Sequence, residues 1–231
     1  MVRTMYGASQ TVNIDVVAAL FHDRFDAGRQ LAAELERRHL GDAVVVGLAR
    51  GGVQVAAEVA RHLSLPLDAL AVRKIGHPWQ PEYGIGAVTP GRDGVYIRSH
   101  DGLDASQLRH AIEQAKTKAD VLDQILHEHH RPLDLHGKTA VLVDDGLATG
   151  ATMVAAVRWA RSQGAMRVVV AVPVGAAQSV PFLRREADEV VCSHEQKDFW
   201  AVGFWYDVFT QVEDTEVVAL LDELQTPAPA S

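Results

Sequence analysis

The sequence predicts an α/β fold in which a five-stranded parallel sheet is flanked by helices. Three observations support this. Continuous β-branched runs recur along the 231 residues, and such runs are typical of strands buried on both faces of a parallel sheet. Two of the runs end in glycine-containing turns that lead into helical patterns. Strands and helices then alternate, which favours βαβ units with right-handed crossovers.

The first predicted element is an amphipathic helix from Asp26 to about Arg38, based on the spacing of Leu31, Leu35 and Leu40. Core strands are predicted at 43–48, 67–72, 139–143, 168–172 and 189–191, and further helices at 53–63, 104–130 and 151–162. We expect residues 1–15 to be poorly ordered and 226–231 to form a disordered tail.

A stretch at about 76–100 interrupts this alternation with many glycines and prolines. It leaves room only for short β segments at Ile85–Thr89 and Val95–Ile97. A loop of this length in a compact domain is usually functional. We therefore expect a flexible β loop that acts as a lid, and a rigid β-arm at a dimer contact is the alternative.

The composition excludes several classes of protein. The net charge of −8 argues against a nucleic-acid partner, which would require a surplus of Lys and Arg. The single cysteine, Cys192, cannot form an intrachain disulfide, and we expect it to pack rather than react. No segment predicts a signal peptide or a membrane span. We expect a cytoplasmic protein without membrane or nucleic-acid partners.

The strongest motif follows the predicted strand at 139–143. Asp144 and Asp145 stand at the carboxyl end of the strand, where ligands of open α/β sheets bind. Thr149, Gly150 and Thr152 then open a helix, and the free backbone N–H groups of its first turn suit a phosphate. Ribose hydroxyls and a bridging Mg²⁺ would give the two carboxylates suitable partners.

This segment resembles the 5-phosphoribosyl-1-pyrophosphate (PRPP) signature of the type I phosphoribosyltransferases, in which two acids precede a Thr-Gly-x-Thr/Ser loop. The resemblance covers about residues 20–212 and implies one phosphoribosyltransferase domain over 1–231. It also implies Mg²⁺, PRPP, a small acceptor, with a nucleobase expected, and a homodimer. It assigns the ribose hydroxyls to the two acids and the 5′-phosphate to the loop.

A second motif, Ala49-Arg50-Gly51-Gly52, also lies between a strand and a helix. Its glycine-rich turn can form an anion nest, and it resembles the family's pyrophosphate loop, which often contains a non-proline cis peptide. Arg73 and Lys74 are predicted to end the second strand and to contact pyrophosphate, chiefly through Lys74. The predicted substrate-binding residues are Ala49, Arg50, Gly51, Gly52, Arg73, Lys74, Asp144, Asp145, Gly146, Ala148, Thr149, Gly150, Ala151 and Thr152.

The resemblance further implies a small hood over the acceptor, formed by residues at about 20–30 and 192–212. The aromatic residues of 199–206 are candidates for stacking, although aromatic side chains more often fill a core. The histidines at 127–130 resemble a metal site but lack zinc-protease spacing, so we interpret them as a solvated helix end.

The predicted activity is transfer of the 5-phosphoribosyl group from PRPP to an acceptor, with release of pyrophosphate. Asp144, Asp145, Arg50 and Lys74 are the predicted catalytic residues. Mg²⁺ is expected to bind through PRPP, with Asp144 and Asp145 as possible ligands. Two alternatives stay open: a PRPP-binding regulator without catalysis, and a hydrolase of a phosphorylated sugar.

Overall fold

The computed structural model describes residues 18–91 and 94–225, so the predicted poor order of 1–15 and the predicted tail at 226–231 lie outside it. The elements in chain order are α1 (Arg24–Leu35), β1 (Ala43–Ala49), α2 (Gly51–Leu63), β2 (Leu67–Ala71), β3 (Arg73–His77), β4 (Gln80–Val88), β5 (Val95–Ile97), α3 (Ala105–Leu126), β6 (Thr139–Val143), α4 (Ala151–Ser162), β7 (Arg167–Ala176), α5 (Val180–Leu183), β8 (Glu189–Gln196), a 3₁₀ turn (Val202–Trp205) and α6 (Asp214–Gln225).

The main sheet has five parallel strands in the order β2-β1-β6-β7-β8. This confirms the predicted fold class. The β-branched runs form its centre because both faces are covered. Val45 and Val141 belong to a cluster on one face with α2, whereas Val46 and Leu142 belong to a cluster on the other face with α4.

Helix α6 was not predicted from the sequence. It buries Val217 and Leu221, one helical turn apart, against the cluster on the α2 face. Leu220 and Leu224 are partly buried and pack against the same cluster, so the apolar side chains of α6 recur at helical spacing. Its tertiary contacts with α2, α3 and β2 complete one layer of the fold.

The three strands β3, β4 and β5 form a second, antiparallel sheet in the order β3-β4-β5. The prediction that Arg73 and Lys74 end the second strand was wrong, because both residues begin β3 and pair with β4. The chain leaves the parallel sheet after Ala71, and the following strand, β3, pairs with β4 in antiparallel orientation. Strand β4 also starts earlier than the predicted segment at Ile85–Thr89.

Helix α3 covers one face of this small sheet. Its residues Ala111, Ala115 and Ala119 pack with Ile75 and Ile85. The small alanine side chains allow the helix to approach the strands closely. This packing anchors the base of the predicted lid, and the mobility of the segment stays a prediction.

The carboxyl end of α3 is held by His127, which contradicts the interpretation of a solvated helix end. The imidazole contacts Asp68 at 3.1 Å and Asp123 at 3.2 Å, and it is 9% exposed. Burial disfavours the charged ring, but hydrogen bonds to Asp123 and Asp68 outweigh it and raise the pKa of His127 to about 10. An ion pair therefore ties α3 to β2.

The cysteine and the helices can each be compared with what the sequence predicted. Burial raises the pKa of the Cys192 thiol to about 12, which fits the expected packing role. Among the helices within 18–91 and 94–225, none is long and apolar enough to cross a membrane.

Candidate functional site

The two predicted loops lie side by side because β1 and β6 are neighbours in the parallel sheet. They line a cavity of about 240 Å³ at the carboxyl ends of these strands. Lys74 of β3 and Val202 of the hood complete the wall. The cavity is lined by all the predicted substrate-binding residues except Gly52, Arg73 and Ala151. We call it the acid-pair cavity.

The turn at Gly51 and Gly52 packs directly against the acids. A Cβ atom at Gly51 would lie 2.1 Å from Asp145 Oδ2, and one at Gly52 would lie 2.7 Å from the Val143 carbonyl oxygen. Only glycine allows this close approach. The Ala49–Arg50 peptide bond is cis, as the resemblance implies.

The acid-containing loop is fixed to the neighbouring strand β7. Leu147 forms a parallel bridge with Gly175, and its backbone N–H donates to the Val174 carbonyl at 2.9 Å. Gly150 then adopts a φ of 78°, a left-handed conformation that favours glycine, and starts α4 without a side-chain cap. The first N–H groups of α4 are therefore directed at the cavity end without an intrahelical acceptor.

The paired carboxylates are largely buried, and the side chain of Asp145 is 15% exposed. The Asp145 N–H donates to Asp144 Oδ1 at 2.9 Å. Burial, and then the adjacent Asp145 charge, hold the pKa of Asp144 well above its ordinary value. Lys74 opposes this shift. The charged form of Asp144 thus needs a cation or hydrogen-bond donors that the bound ligand would supply.

Arg24 is a site residue that the sequence analysis missed. Its Nε atom donates to Asp145 Oδ2 at 2.7 Å, and the side chain is 8% exposed. Burial raises the pKa of Asp145, and the Arg24 guanidinium opposes the shift. A signal existed, because Arg24 falls on the buried stripe that Ala27 and Leu31 form in α1. A charged side chain on such a stripe requires a partner.

Arg24 also joins the acid pair to the hood. Its Nη1 atom donates to the Thr210 carbonyl at 2.8 Å, and its guanidinium lies 3.8 Å from the ring centroid of Phe209. The Tyr206 hydroxyl donates to the Asp145 carbonyl at 2.6 Å. Asp145 is therefore held by two hood contacts through its side chain and its backbone.

The two ends of the predicted hood contact each other. Phe21 forms a bridge with Tyr206 and packs in a cluster with Trp205. Residues 192–196 belong to β8 rather than to the hood, because they pair with β7. Trp200 and Phe204 are 85% and 68% exposed and do not line the acid-pair cavity. A stacking role for these aromatics stays a prediction.

Three basic residues lie at or beside this cavity. Arg50 and Lys74 line it, and Arg73 lines the neighbouring groove. Arg50 lies 3.7 Å from Asp214 at the start of α6. Burial, and then the Arg50 charge, lower the pKa of Arg73. Arg73 lines a neighbouring groove with Lys118 rather than the cavity itself. Of the two predicted strand-end cations, only Lys74 lines the acid-pair cavity.

The comparison with known families agrees with this geometry. The model of the phosphoribosyl transferase domain matches residues 19–208, a range that contains α1, both loops and most of the hood. The chain belongs to this family. The predicted family membership is confirmed, and the matched range is close to the predicted 20–212.

Similar proteins include two curated sequences from two strains of Mycobacterium tuberculosis, each named "Putative phosphoribosyl transferase". Each is 47% identical over 208 residues, covering 88% of this chain and 46% of the relative. The chain thus spans about half the length of these curated relatives. The crystal structure of TT1426 from Thermus thermophilus is 40% identical, with a TM-score of 0.76, and covers 88% of this chain and 98% of that chain.

Proposed function

We propose that this phosphoribosyltransferase domain binds PRPP with Mg²⁺ and transfers the 5-phosphoribosyl group to a small acceptor of the nucleobase class, releasing pyrophosphate. The observation that supports this most strongly is the convergence of the acid pair, the α4 N-terminus and the Arg50 turn on one cavity. Each part suits a different group of PRPP. The fold alone would not support this proposal, because one fold hosts many functions.

Three parts of the cavity suit three parts of the ligand. The N–H groups of the first turn of α4, with Thr149 and Thr152, suit the 5′-phosphate. The Asp144 and Asp145 carboxylates suit the ribose hydroxyls, which donate hydrogen bonds. The N–H groups of the Arg50 turn and the Lys74 ammonium group suit the pyrophosphate.

The donor set also fits Mg²⁺. No group of three or more His, Cys, Asp or Glu side chains within 18–91 and 94–225 is arranged to hold a metal ion. Mg²⁺ is usually held by one or two carboxylates together with substrate phosphates. Asp144 and Asp145 fit that pattern with PRPP oxygens as the other ligands. The ion would neutralise charge on the departing pyrophosphate.

The residues of the chain would then act by positioning and electrostatics. The C1′–oxygen bond to pyrophosphate breaks and a bond from C1′ to the acceptor forms. Positive charge develops on the ribose, and the carboxylates favour it. Arg24 and Tyr206 keep Asp145 in place during this change.

Ligand binding tests the first half of the proposal. We expect PRPP with Mg²⁺ to raise the melting temperature more than ribose 5-phosphate does, because pyrophosphate adds contacts to Arg50 and Lys74. The Lys74→Gln variant should lose most of the difference, whereas Lys116→Gln, a neutralisation on α3 away from the cavity, should keep it. Equal shifts from both ligands would remove the pyrophosphate site.

Turnover tests the second half. PRPP consumption with Mg²⁺ should depend on an acceptor from a panel of nucleobases and other small nucleophiles. Binding of PRPP without any turnover would favour the regulatory alternative. Release of phosphate or pyrophosphate without an acceptor would favour a hydrolase.

We further propose that residues 76–100 close over PRPP. A closed lid would keep water from the reactive ribosyl group. Hydrogen exchange over this segment should slow when Mg²⁺ and PRPP bind. High protection without ligand, unchanged by its addition, would favour a rigid arm. The homodimer, the cytoplasmic location and the absence of a nucleic-acid partner also stay predictions.

A further inference from the structure

A second groove lies between β3 and α3, outside the acid-pair cavity. Its volume is about 430 Å³, which is within the range of small-molecule sites. We call it the β3–α3 groove. It is lined by Lys74, Gly76, His77, Pro78, His110, Ala111, Gln114, Ala115 and Lys118.

The lining of this groove is basic. Lys74, His77, His110 and Lys118 contribute cationic or protonatable groups, and none of the described residues that line it is acidic. The whole chain has a net charge of −8. A basic lining in an acidic protein is a local feature that favours an anionic ligand.

The basic groups are arranged at two ends of the groove. Lys118 also lines the neighbouring groove with Arg73, so it lies at the Lys74 end. His110 is two helical turns away along α3, about 12 Å at 1.5 Å per residue. His77 is three residues beyond Lys74 along β3, whose register is irregular at Gly76. His77 is 8% exposed, and its Nδ1 atom accepts a hydrogen bond from the Trp79 N–H at 3.4 Å. The two elements therefore place lysines toward one end of the groove and histidines toward the other.

The lining of the groove also includes a glycine, Gly76. Within the described residues, β3 is an edge strand of the small sheet and pairs with β4. Such an edge offers N–H and C=O groups to a ligand. Gly76 has no side chain to cover this edge, and Gln114 on α3 faces the groove. The Gln114 amide donates to the His110 Nε2 atom at 3.0 Å, so a ligand at the His110 end would take the place of that hydrogen bond.

We propose that the β3–α3 groove binds a small molecule with several phosphate groups, at a site that adjoins the proposed PRPP site and shares Lys74 with it. One phosphate lies between Lys74 and Lys118, and another lies at the His77 and His110 end. Lys74 lines both cavities. If the proposed function holds, the ligand therefore competes with the pyrophosphate of PRPP for one ammonium group and weakens PRPP binding.

Inorganic tripolyphosphate without Mg²⁺ serves as the probe, followed by amide chemical shifts of the full chain. We expect saturable shifts at residues 76–77 and 108–118. The His110→Gln/Lys118→Gln variant should bind at this location about tenfold more weakly, because the probe would lose its contacts to the Lys118 ammonium group and the His110 ring. The Arg109→Gln/Lys116→Gln variant changes the same helix outside the groove and should bind within about twofold of the unaltered chain.

Two results would overturn this proposal. One is the absence of saturable shifts at 76–77 and 108–118. The other is equal weakening of probe binding in both double variants, which would indicate nonspecific attraction of tripolyphosphate to the positive charges of α3. Shifts at 50–52 and 148–152 on adding PRPP with Mg²⁺ report the acid-pair cavity separately. Their absence would contradict the proposed function and would leave the groove result unaffected.

Discussion

The two walls of the acid-pair cavity differ in how they are built. The strand-end wall consists of two short loops whose motif residues are adjacent in sequence. The hood wall is lined by Val202 and is joined to Asp145 through Arg24 and Tyr206, which lie behind the lining, 121 and 61 positions from Asp145. The first wall presents backbone groups and carboxylates to a ligand. The second wall decides the orientation and charge of one of those carboxylates.

The residues that contact a ligand are therefore different from the residues that set the orientation and charge of Asp145. The loops contain the groups that we propose bind PRPP, and short motifs within the loops specify those groups. Asp144, which is adjacent to Asp145 in sequence, differs from it in environment because only Asp145 contacts Arg24 in the described structure. Two identical side chains can therefore have distinct roles.

The largest expected effect comes from Asp145→Ala. Its loss leaves the buried Arg24 guanidinium without its carboxylate, so the free energy of unfolding should fall by roughly 3–5 kcal/mol. Urea denaturation measures this. Asp144→Ala is the matched control and should cost much less, because it removes a destabilising buried charge.

A double-mutant cycle with Arg24→Met sharpens this test. The Arg24→Met/Asp145→Ala variant should recover part of the stability lost in Asp145→Ala, since both buried charges are gone. Equal costs for Asp144→Ala and Asp145→Ala would contradict the distinction between the two acids.

Gly51→Ala should have an intermediate effect. The added methyl would lie 2.1 Å from Asp145 Oδ2 and 2.8 Å from Arg24 Nε. Overpacking of this kind costs about 1–3 kcal/mol, and PRPP affinity should fall as well. Gly84→Ala is the control, because a Cβ atom there has no neighbour within 4 Å. An unchanged free energy of unfolding in Gly51→Ala would show that the turn at Gly51 and the loop at Asp145 can move apart.

Tyr206→Phe tests the backbone contact of the hood. It removes the 2.6 Å hydrogen bond to the Asp145 carbonyl and should lower the free energy of unfolding by about 1 kcal/mol. Tyr83→Phe, at a tyrosine that is 41% exposed, should change it by less than about 0.5 kcal/mol. Thermal melts of both variants give the comparison.

The smallest effect concerns pH. The pKa of Asp144 is raised above 3.8 by burial and by Asp145, so the folded protein binds more protons than the unfolded chain above that value. The contribution of Asp144 to the free energy of unfolding should therefore increase as pH falls from neutral toward about 4. PRPP affinity should fall over the same range because a protonated carboxyl accepts hydrogen bonds poorly.

The Asp144→Asn variant isolates this group. The difference in unfolding free energy between the unaltered and variant proteins should depend on pH in the stated direction. A difference that is constant between about pH 4 and 7 would mean that Asp144 titrates normally.

Much of the fold could be predicted because its central strands carry strong local signals. The runs at 43–48 and 139–143 are β-branched and fully buried, so pattern and burial agree. Helix α6 was missed although its apolar residues recur at helical spacing, as Val217, Leu220, Leu221 and Leu224. This spacing is a signal for an amphipathic helix that could have been read from the sequence.

The site was predicted unevenly for a similar reason. Asp144, Asp145 and Thr149 stand in one short motif, and the structure brings them to one cavity. Arg73 and Lys74 were placed on the wrong strand, since the change from parallel to antiparallel pairing leaves no clear mark in sequence. His127 is paired with Asp68, 59 positions away.

The sequence by itself determined the five strands of the parallel sheet, the two loops and the chemistry that those loops offer, because each depends on residues close together in the chain. Tertiary structure alone decided which acid pairs with Arg24, how Tyr206 supports it and where α3 forms the β3–α3 groove. These contacts join distant segments. Burial makes them strong, and burial depends on the packing of the whole domain.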